Sequence, residues 1–295
     1  MSEPTTAGRP DSVLRPLAEI YPQLYLVPGE EGAQTWQDIV RRGKSAPTAS
    51  LEHFHGNEQD SVTMEETPVG PVRIVTLGDR HDFELFLQIM AFKCVPTPIP
   101  PTQGASILDG VVNWTKINQH EEEYLRAGGS EEGLIEEFKR FTSDKKNYTD
   151  ALIILSTGPY SAVPAAEAGL DEASWLRASL RIRKAHECTH FICRRLFREK
   201  IDAVWDELVA DAVGLVAAFG RYDVDLASRF LGIREGVYTG GRLEIYKGEA
   251  GPEALAGKVY RTMLHLDQCI RSLGTLPPYD LAIRLEDEYD VWKTI

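Results

Sequence analysis

The sequence predicts an α+β fold, with a mixed sheet and helices in the first part of the chain and mainly helices in the rest. Two short β-branched runs, Ser61–Met64 and Val72–Leu77, flank a turn-rich segment, which is typical of a β-hairpin. The apolar run Ala151–Ser156 has the length and composition of a buried strand. After residue 170, apolar residues recur at helical spacing over long stretches, which indicates amphipathic helices.

The elements before residue 170 are predicted from local patterns, in chain order. Residues 1–12 are polar and contain proline and glycine, so we expect a disordered tail. Leu24–Val27 is predicted to form a short strand. Gly104–Gly110 has some features of a phosphate loop but lacks the Gly-Lys-Ser/Thr ending, so the signal is weak. The helices predicted in this part of the chain cover residues 33–42, 80–93, 111–117 and 131–141.

Two long helices are predicted after residue 170. The first begins after Asp171, a favourable N-cap residue, and runs to about Phe197. A break at Glu199–Lys200 separates it from a second helix over 201–219, which Gly220 ends. A Gly/Tyr-rich loop or short hairpin and two further helices are predicted at 236–246, 252–273 and 279–292.

Charge and composition exclude some classes of function. The chain has 32 basic and 45 acidic residues and a formal net charge of −13. It offers no basic stripe that could displace the counterions of a nucleic acid, so we expect no nucleic-acid partner. No run approaches the 18 or so apolar residues of a membrane span, and the first residues lack the apolar core of a signal peptide. We therefore expect a cytoplasmic protein without a membrane partner.

The cysteines point to the same compartment. They form no C-x-x-C pair and no regular framework, and two of them lie five residues apart on one predicted helix, a poor geometry for a disulfide. Free thiols in a reducing compartment are therefore expected. The four cysteines are Cys94, Cys188, Cys193 and Cys269.

The first long helix carries the pattern H-E-x-x-H, formed by His186, Glu187 and His190. Residues four apart lie on one face of a helix, so both imidazoles can reach one metal ion. Glu187 lies about 100° around the helix, where it can contact a water on that ion without being a ligand. Zinc binds imidazole nitrogen well and keeps one position open for water in catalytic sites. The motif therefore predicts a zinc-dependent hydrolase.

The second long helix supplies candidates for a third protein ligand, namely Asp206, Glu207 and Asp211. Glu207 and Asp211 lie one turn apart on one face, beside the apolar stripe that faces the first helix. Glu207 can complete the zinc site, and Asp211 can accept a hydrogen bond from the other nitrogen of a ligating imidazole. The alternative is a pair of surface carboxylates on an amphipathic helix.

The two patterns together resemble the signature of the gluzincin metallopeptidases. In that superfamily H-E-x-x-H on one helix is followed by E-x-x-x-D on a later helix, and here the two stand at His186–His190 and Glu207–Asp211. The resemblance covers roughly residues 151–220. It implies a zincin-like fold, with a mixed sheet and helices in an upper lobe, a mainly helical lower lobe and an active-site cleft between them.

Applied to this chain, the resemblance implies an upper lobe over 13–198 that ends in the motif helix. A lower lobe over 199–295 would carry Glu207 and Asp211, and the two lobes together would form one catalytic unit. An edge strand that pairs with substrate precedes the motif helix in that superfamily, and Ala151–Ser156 stands in the corresponding place.

The resemblance also implies roles for individual residues. His186, His190 and Glu207 would be zinc ligands, Glu187 the general base, and Asp211 the partner of an imidazole. A Tyr or His downstream of the glutamate ligand usually stabilises the oxyanion. The candidates here are Tyr238, Arg242, Tyr246, Tyr260 and His265, among which Tyr238 and His265 are preferred, and Tyr160 is a candidate substrate contact at the end of the predicted strand.

The function predicted from these observations is that of a zinc metallohydrolase, a peptidase or amidase whose water is activated by Glu187. The expected cofactor is Zn²⁺ and the expected substrate a peptide or small amide. One alternative is a zinc-binding regulatory or scaffold protein with a catalytically silent site. Another is a di-iron carboxylate oxidoreductase, which would need a second Glu-x-x-His segment that the chain does not convincingly offer.

Overall fold

The computed structural model describes residues 13–197, 202–246 and 251–295. The predicted tail at 1–12 and the predicted break at Glu199–Lys200 lie outside these residues. The described chain divides into two compact units. The first comprises residues 13–65, 72–99 and 106–154, and the second comprises 66–71, 100–105 and the described residues after 154. The division falls near residue 154, so both long helices belong to the second unit, whereas the sequence analysis divided the chain between them.

The first unit contains helices and a four-stranded sheet, which makes the fold α+β as predicted. Its helices are α1 (Leu14–Ile20), α2 (Glu30–Arg42), α3 (Arg80–Met90), α4 (Trp114–Arg126) and α5 (Leu134–Thr142). Its strands are β1 (Ser61–Glu65), β2 (Val72–Leu77), β3 (Ala105–Val112) and β4 (Thr149–Ser156), with β3 beginning and β4 ending at the boundary of the unit.

The strands of the sheet are arranged in the order β1-β2-β4-β3. β1 and β2 are antiparallel neighbours with Ser61 opposite Thr76, so the predicted hairpin is confirmed. The strand predicted at Ala151–Ser156 is also present, as β4. Its expected position at an edge is wrong, because β4 lies between β2 and β3 and β3 forms the edge.

Two local predictions in this unit are wrong. The segment predicted as a strand at Leu24–Val27 begins in a 3₁₀ helix, Pro22–Tyr25, because Pro22 fixes a helical φ at its first position. The helix predicted at 111–117 begins only at Trp114, where the Asn113 side chain accepts hydrogen bonds from backbone N–H groups of the first turn. The residues before it join the sheet as β3, because pairing with β4 overrides their weak local preference.

The core of the first unit is one apolar cluster to which α1, α2, α3, β2 and β4 all contribute. Phe83 and Phe86 on α3 are fully buried in it, together with Leu152 and Ile154 on β4. Burial of these side chains stabilises the sheet against the helices by roughly 1.5–3 kcal/mol each.

The second unit is almost entirely helical. Its helices are α6 (Ala165–Ala168), α7 (Glu172–Leu196), α8 (Ala203–Phe219), α9 (Val224–Leu231), α10 (Pro252–Leu273), α11 (Pro278–Leu285) and α12 (Tyr289–Thr294). A short hairpin joins β5 (Ile233–Arg234) to β6 (Val237–Tyr238), and 3₁₀ helices cover Tyr160–Ala162, Arg242–Tyr246 and Glu286–Glu288. Helix α9 was not predicted, and the helix predicted over 279–292 consists of α11, a 3₁₀ turn and α12.

The two long helices α7 and α8 form as the sequence predicts. Asp171 caps α7 by accepting a hydrogen bond from Ser174 N at 2.9 Å. Asp202 caps α8 in the same way, and Gly220 ends it in the left-handed conformation with φ of 70°. The two helices pack along each other, and a Cβ atom on Gly214 would lie 2.9 Å from the backbone oxygen of Ile182. This close approach positions the motif of α7 against the carboxylates of α8.

Candidate metal centre

Three side chains from α7 and α8 converge on one point. His186 Nε2 and His190 Nε2 lie 2.9 Å apart, as one turn of helix α7 requires. Glu207 on α8 faces both rings, with one oxygen 3.6 Å from His186 Nε2 and the other 3.3 Å from His190 Nε2. Both histidines are buried, and the Glu207 side chain is 13% exposed.

These distances suit a tetrahedral metal ion. Ligands held at about 2.0–2.1 Å from zinc in tetrahedral geometry lie about 3.3 Å from one another, and the three distances bracket that value. One Glu207 oxygen, Oε2, is buried without a hydrogen-bond partner among the described residues. A buried carboxylate oxygen without a partner is costly, and a cation at this point would satisfy it. The two imidazoles and the carboxylate therefore fit a zinc ion.

The outer nitrogen of His186 is held by Asp211 on α8. Asp211 Oδ1 lies 2.9 Å from His186 Nδ1, and the Tyr160 hydroxyl lies 2.8 Å from the same nitrogen. The hydroxyl also donates a hydrogen bond to Asp211 at 2.7 Å. A carboxylate at Nδ1 favours the tautomer that keeps the proton there and leaves the lone pair of Nε2 free to bind a metal.

The outer nitrogen of His190 has a carboxylate neighbour as well. Asp206 Oδ2 lies 2.8 Å from His190 Nδ1, although the N–H bond is not aimed along that line. Asp206 therefore lies beside His190 as a charge, whereas the Nδ1 atom of His186 has the Tyr160 hydroxyl as a hydrogen-bond partner as well as Asp211. Each histidine directs one nitrogen to the point of convergence and the other to an aspartate.

The surroundings of the His190 ring favour positive charge. Burial lowers the pKa of His190, but Asp206 and Glu207 outweigh that effect and raise the pKa to about 10. Burial raises the pKa of Glu207, but Arg242 and the two histidines lower it well below its usual value. Three carboxylates and one guanidinium leave a negative balance here, as expected of a site for a cation.

Arg242, in the 3₁₀ helix after the β5–β6 hairpin, contacts the carboxylates of Asp211 and Glu207 on the outer side of the centre. It donates a charge-assisted hydrogen bond to Asp211 Oδ2, lies 3.6 Å from Glu207 and also donates to the Tyr160 hydroxyl at 3.3 Å. The nearby Tyr246 hydroxyl lies against the Glu207 carboxylate, and burial together with that charge raises the pKa of Tyr246.

Tyr160 is held in place by the motif helix itself. Arg183 on α7 donates hydrogen bonds to the backbone oxygens of Ser156 and Gly158, and Ser179 Oγ accepts one from Tyr160 N at 2.9 Å. The guanidinium carbons of Arg183 and Arg242 lie 5.7 and 5.6 Å from the centre of the Tyr160 ring. The loop that follows β4 is thereby tied to α7, and its tyrosine is directed at His186.

Glu187 lies beside the cluster on α7 and is half-buried. No hydrogen bond or ion pair is found for its carboxylate among the residues that the structure describes. Its neighbours His186 and His190 have carboxylates beside their outer nitrogens, whereas Glu187 has no polar partner in the described ranges.

Two of the predicted catalytic residues are not brought to this centre. The Tyr238 hydroxyl exchanges hydrogen bonds with the backbone of Gly241 and lies 3.4 Å from Glu244. His265 lies on α10, where its Nε2 is 2.8 Å from Glu288. Of the residues predicted as oxyanion candidates, Arg242 and Tyr246 are the two that contact Glu207 in the described part of the chain. Tyr260 packs against Gly236 instead.

Tyr160 has a different position from the one predicted. It was expected to contact substrate, but its side chain is 4% exposed and its hydroxyl is occupied by His186, Asp211 and Arg242. It therefore positions the imidazole of His186. Arg183 and Ser179, which direct Tyr160, were not predicted at all, because a single Arg or Ser on a helix carries no signal of a loop that folds back on it.

A cavity of about 560 Å³ is lined in part by Arg242, whereas His186, His190 and Glu207 do not line it. Its walls come from Ser161 and Ala162 in the 3₁₀ turn after β4, from Phe230 on α9 and from the glycines near the β5–β6 hairpin. The volume lies in the range of small-molecule and peptide-binding pockets.

Comparison with known proteins identifies the family of this chain. A family model described as "Family of unknown function (DUF7005)" matches residues 9–271. The chain belongs to this family. The matched region of DUF7005 includes the residues of the metal centre, Arg242 and the lining of the adjoining cavity. No curated protein and no solved structure matches the chain. None of the described helices is long and apolar enough to cross a membrane.

Proposed function

We propose that this member of DUF7005 is a zinc-dependent hydrolase of amide bonds, a metallopeptidase or amidase. The observation that carries the proposal is the convergence of ligand atoms of His186, His190 and Glu207 within 3.6 Å of one another. Glu187 follows His186 in the same helix and has no hydrogen bond or ion pair among the described residues. Two histidines and one carboxylate are the ligand set of catalytic zinc sites that keep a fourth position open.

The ligands would hold the ion from the buried side of the cluster. Zinc bound there would polarise a substrate carbonyl and lower the pKa of a water molecule toward about 7. Asp211 and Asp206 hold the outer nitrogens of His186 and His190, so that both Nε2 atoms stay directed at one point.

Glu187 is the proposed general base. Its carboxylate takes a proton from the attacking water as the new C–O bond forms, and then delivers that proton to the nitrogen of the leaving amine as the C–N bond breaks. A structural zinc site requires only its ligands, whereas a hydrolytic site also requires a general base. The presence of Glu187 therefore favours catalysis over the regulatory or scaffold alternative.

The cavity beside Arg242 supports a peptide or small amide as substrate. Arg242 lines that cavity and also contacts Tyr160 and the two carboxylates of α8, so it links the cavity to the residues around the centre.

The four cysteines all lie in the described part of the chain and are unpaired, which supports a reducing, cytoplasmic setting.

The test is the Glu187→Gln variant, measured for zinc content and for cleavage of a peptide library. We expect the variant to retain about one zinc per chain in this centre and to lose about 10²- to 10⁴-fold in turnover, because the amide cannot accept the proton. Glu172→Gln, at the exposed start of the same helix, is the matched control and should keep its turnover.

Three outcomes would contradict the proposal. Unchanged turnover in Glu187→Gln would remove Glu187 as the base. A purified, undenatured chain that binds no metal at His186 and His190 would remove the site. A chain that holds zinc but cleaves no member of the library would favour the regulatory or scaffold alternative.

A further inference from the structure

A second cluster of metal-ligand atoms lies on α10 and the turn that follows α11. His265 and Cys269 stand four residues apart on one face of α10, and Glu288 ends the 3₁₀ helix Glu286–Glu288. His265 Nε2 is 2.8 Å from Glu288 Oε2 and 3.4 Å from Cys269 Sγ. The three ligand atoms all lie within 4.8 Å of one another.

The arrangement differs from that of a catalytic Cys–His–Glu triad. In a triad the thiol and the carboxylate contact opposite nitrogens of the imidazole, so that one accepts a proton and the other orients the ring. Here both contact the same nitrogen, Nε2. Three donor atoms that converge from two elements on one point fit a metal ion better than a proton relay.

The distances and donor types fit zinc. With Zn–S at about 2.3 Å and Zn–N at about 2.0–2.1 Å, tetrahedral geometry places sulfur and nitrogen about 3.6 Å apart, close to the 3.4 Å observed. The contact between His265 and Glu288 would lengthen by about 0.5 Å as an ion replaces the hydrogen bond. A thiolate, an imidazole and a carboxylate together favour zinc over magnesium or calcium, which prefer oxygen ligands alone.

The protein holds the three donors in place while leaving them open to solvent. Neighbouring Glu286 is buried and its carboxylate accepts a hydrogen bond from Trp205 on α8, which fixes the turn that carries Glu288. The side chains of His265 and Glu288 remain 29% and 31% exposed. Cys269 is half-buried, whereas the other three cysteines are buried.

We propose that His265, Cys269 and Glu288 form a second zinc site that ties the C-terminal segment to α10. The segment begins at the turn with Glu288 and continues into α12, whose Trp292 is buried and contacts Lys258 on α10. A bound ion would link α10 to the start of this segment at Glu288, in addition to the contact between Trp292 and Lys258. The site shares no residue with the metal centre on α7 and α8. It would bind zinc whether or not that centre is catalytic.

Cobalt titration of the full-length chain tests the site. In the metal-free chain, excess Co²⁺ bound at Cys269 should give the near-ultraviolet charge-transfer band of a cobalt–thiolate bond. His186, His190 and Glu207 contain no sulfur and cannot produce this band, so the result does not depend on the proposed hydrolase function. Cys269→Ser should abolish the band, and Cys94→Ser, which removes a buried thiol of the first unit, should leave it unchanged.

The role of Glu288 as a ligand is tested by comparing substitutions at Glu288 and at its neighbour Asp287. Glu288→Gln should weaken cobalt binding, whereas Asp287→Asn, at a side chain that is 64% exposed, should not. Excess Zn²⁺ should also raise the melting temperature of the native chain by more than that of Cys269→Ser, which keeps only the centre on α7 and α8. Absence of the band in the native chain, or a band that survives Cys269→Ser, overturns the proposal. Equal weakening in Glu288→Gln and Asp287→Asn removes Glu288 from the site.

Discussion

Two adjacent carboxylates on α8, Asp206 and Glu207, have different partners in the metal centre. Adjacent helix positions point about 100° apart, so only one of them can face the Nε2 atoms of both histidines. Glu207 faces them, and Asp206 lies beside the outer nitrogen of His190. A shift of α8 by one residue would place Asp206, rather than Glu207, at the ligand position.

This difference predicts different effects of two neighbouring substitutions. Glu207→Ala removes one of three protein ligands and, in a Cys269→Ser background that lacks the second site, should leave much less than one zinc per chain after gel filtration. Asp206→Ala keeps the ligands but loosens His190, so zinc should still bind with affinity reduced about 10- to 100-fold. Competition with a chromophoric chelator measures both affinities. If Asp206→Ala were the variant that loses its zinc, the third ligand would be Asp206.

At the scale of elements, the geometry of the centre depends on how closely α7 and α8 approach. Gly214 lies on α8 one turn beyond Asp211, and Ile182 lies on α7 one turn before His186. Because a Cβ atom on Gly214 would meet both the backbone oxygen and a side-chain carbon of Ile182 at 2.9 Å, the two helices can pack this closely only with glycine there.

Gly214→Ala should therefore destabilise the protein and weaken zinc binding. Alanine gains about 1 kcal/mol of helix propensity over glycine, but overpacking costs about 1–3 kcal/mol, and the rigid backbone oxygen of Ile182 cannot move aside. Urea unfolding with and without zinc measures both effects. The matched control is Gly257→Ala on α10, where the new Cβ would lie 3.6 Å from Arg261 and should stabilise the helix. A Gly214→Ala variant as stable as Gly257→Ala would contradict this reading of the packing.

At the scale of the whole molecule, each compact unit has its own core and its own cluster of hydrogen-bonded charged side chains. In the first unit that centre is Asp150 at the start of β4. Its carboxylate accepts hydrogen bonds from Tyr21 at 2.5 Å and Asn113 at 2.7 Å and pairs with Lys116 at 2.6 Å. These contacts connect the end of α1, the first turn of α4 and the sheet.

The pH dependence of stability should reflect this carboxylate. Burial raises the pKa of Asp150, but its contacts with Lys116, Tyr21 and Asn113 outweigh burial and lower the pKa below its usual value. A lowered pKa contributes stability that is present above the pKa of the unfolded chain, about 3.9, and is lost as the pH falls through the folded value. The first unit should therefore lose this contribution on acidification below about pH 4.

Asp150→Asn should lower the free energy of unfolding at pH 7 by about 1–3 kcal/mol, because Lys116 and Tyr21 lose a charged partner. It should also reduce the fall in stability between neutral and acid pH. Urea unfolding at a series of pH values measures both, with Glu122→Gln on the exposed face of α4 as the control. A variant whose pH profile runs parallel to that of the native chain would show that Asp150 does not carry the acid sensitivity.

The sequence by itself determined the features that depend on local spacing. The two histidines of α7 share a face because they are four residues apart, and the caps at Asp171 and Gly220 place the helix ends whatever surrounds them. The pairing of Glu207 with both rings and of Asp211 with one of the ligating imidazoles was expected from the apolar stripe of α8 that faces the first helix; the structure shows that this imidazole is His186. The hairpin of β1 and β2 followed from its turn residues.

Only the tertiary structure decided the features that depend on contacts between distant segments. Arg242 lies 31 residues beyond Asp211 and Tyr160 lies 51 residues before it, and neither has a local pattern that places it at the centre. Residues 105–112 became a strand and β4 an interior strand because sheet pairing, rather than local propensity, selects strand conformation and order. Spacing along a helix is set by covalent geometry, whereas the return of a loop to that helix is set by packing of the whole unit.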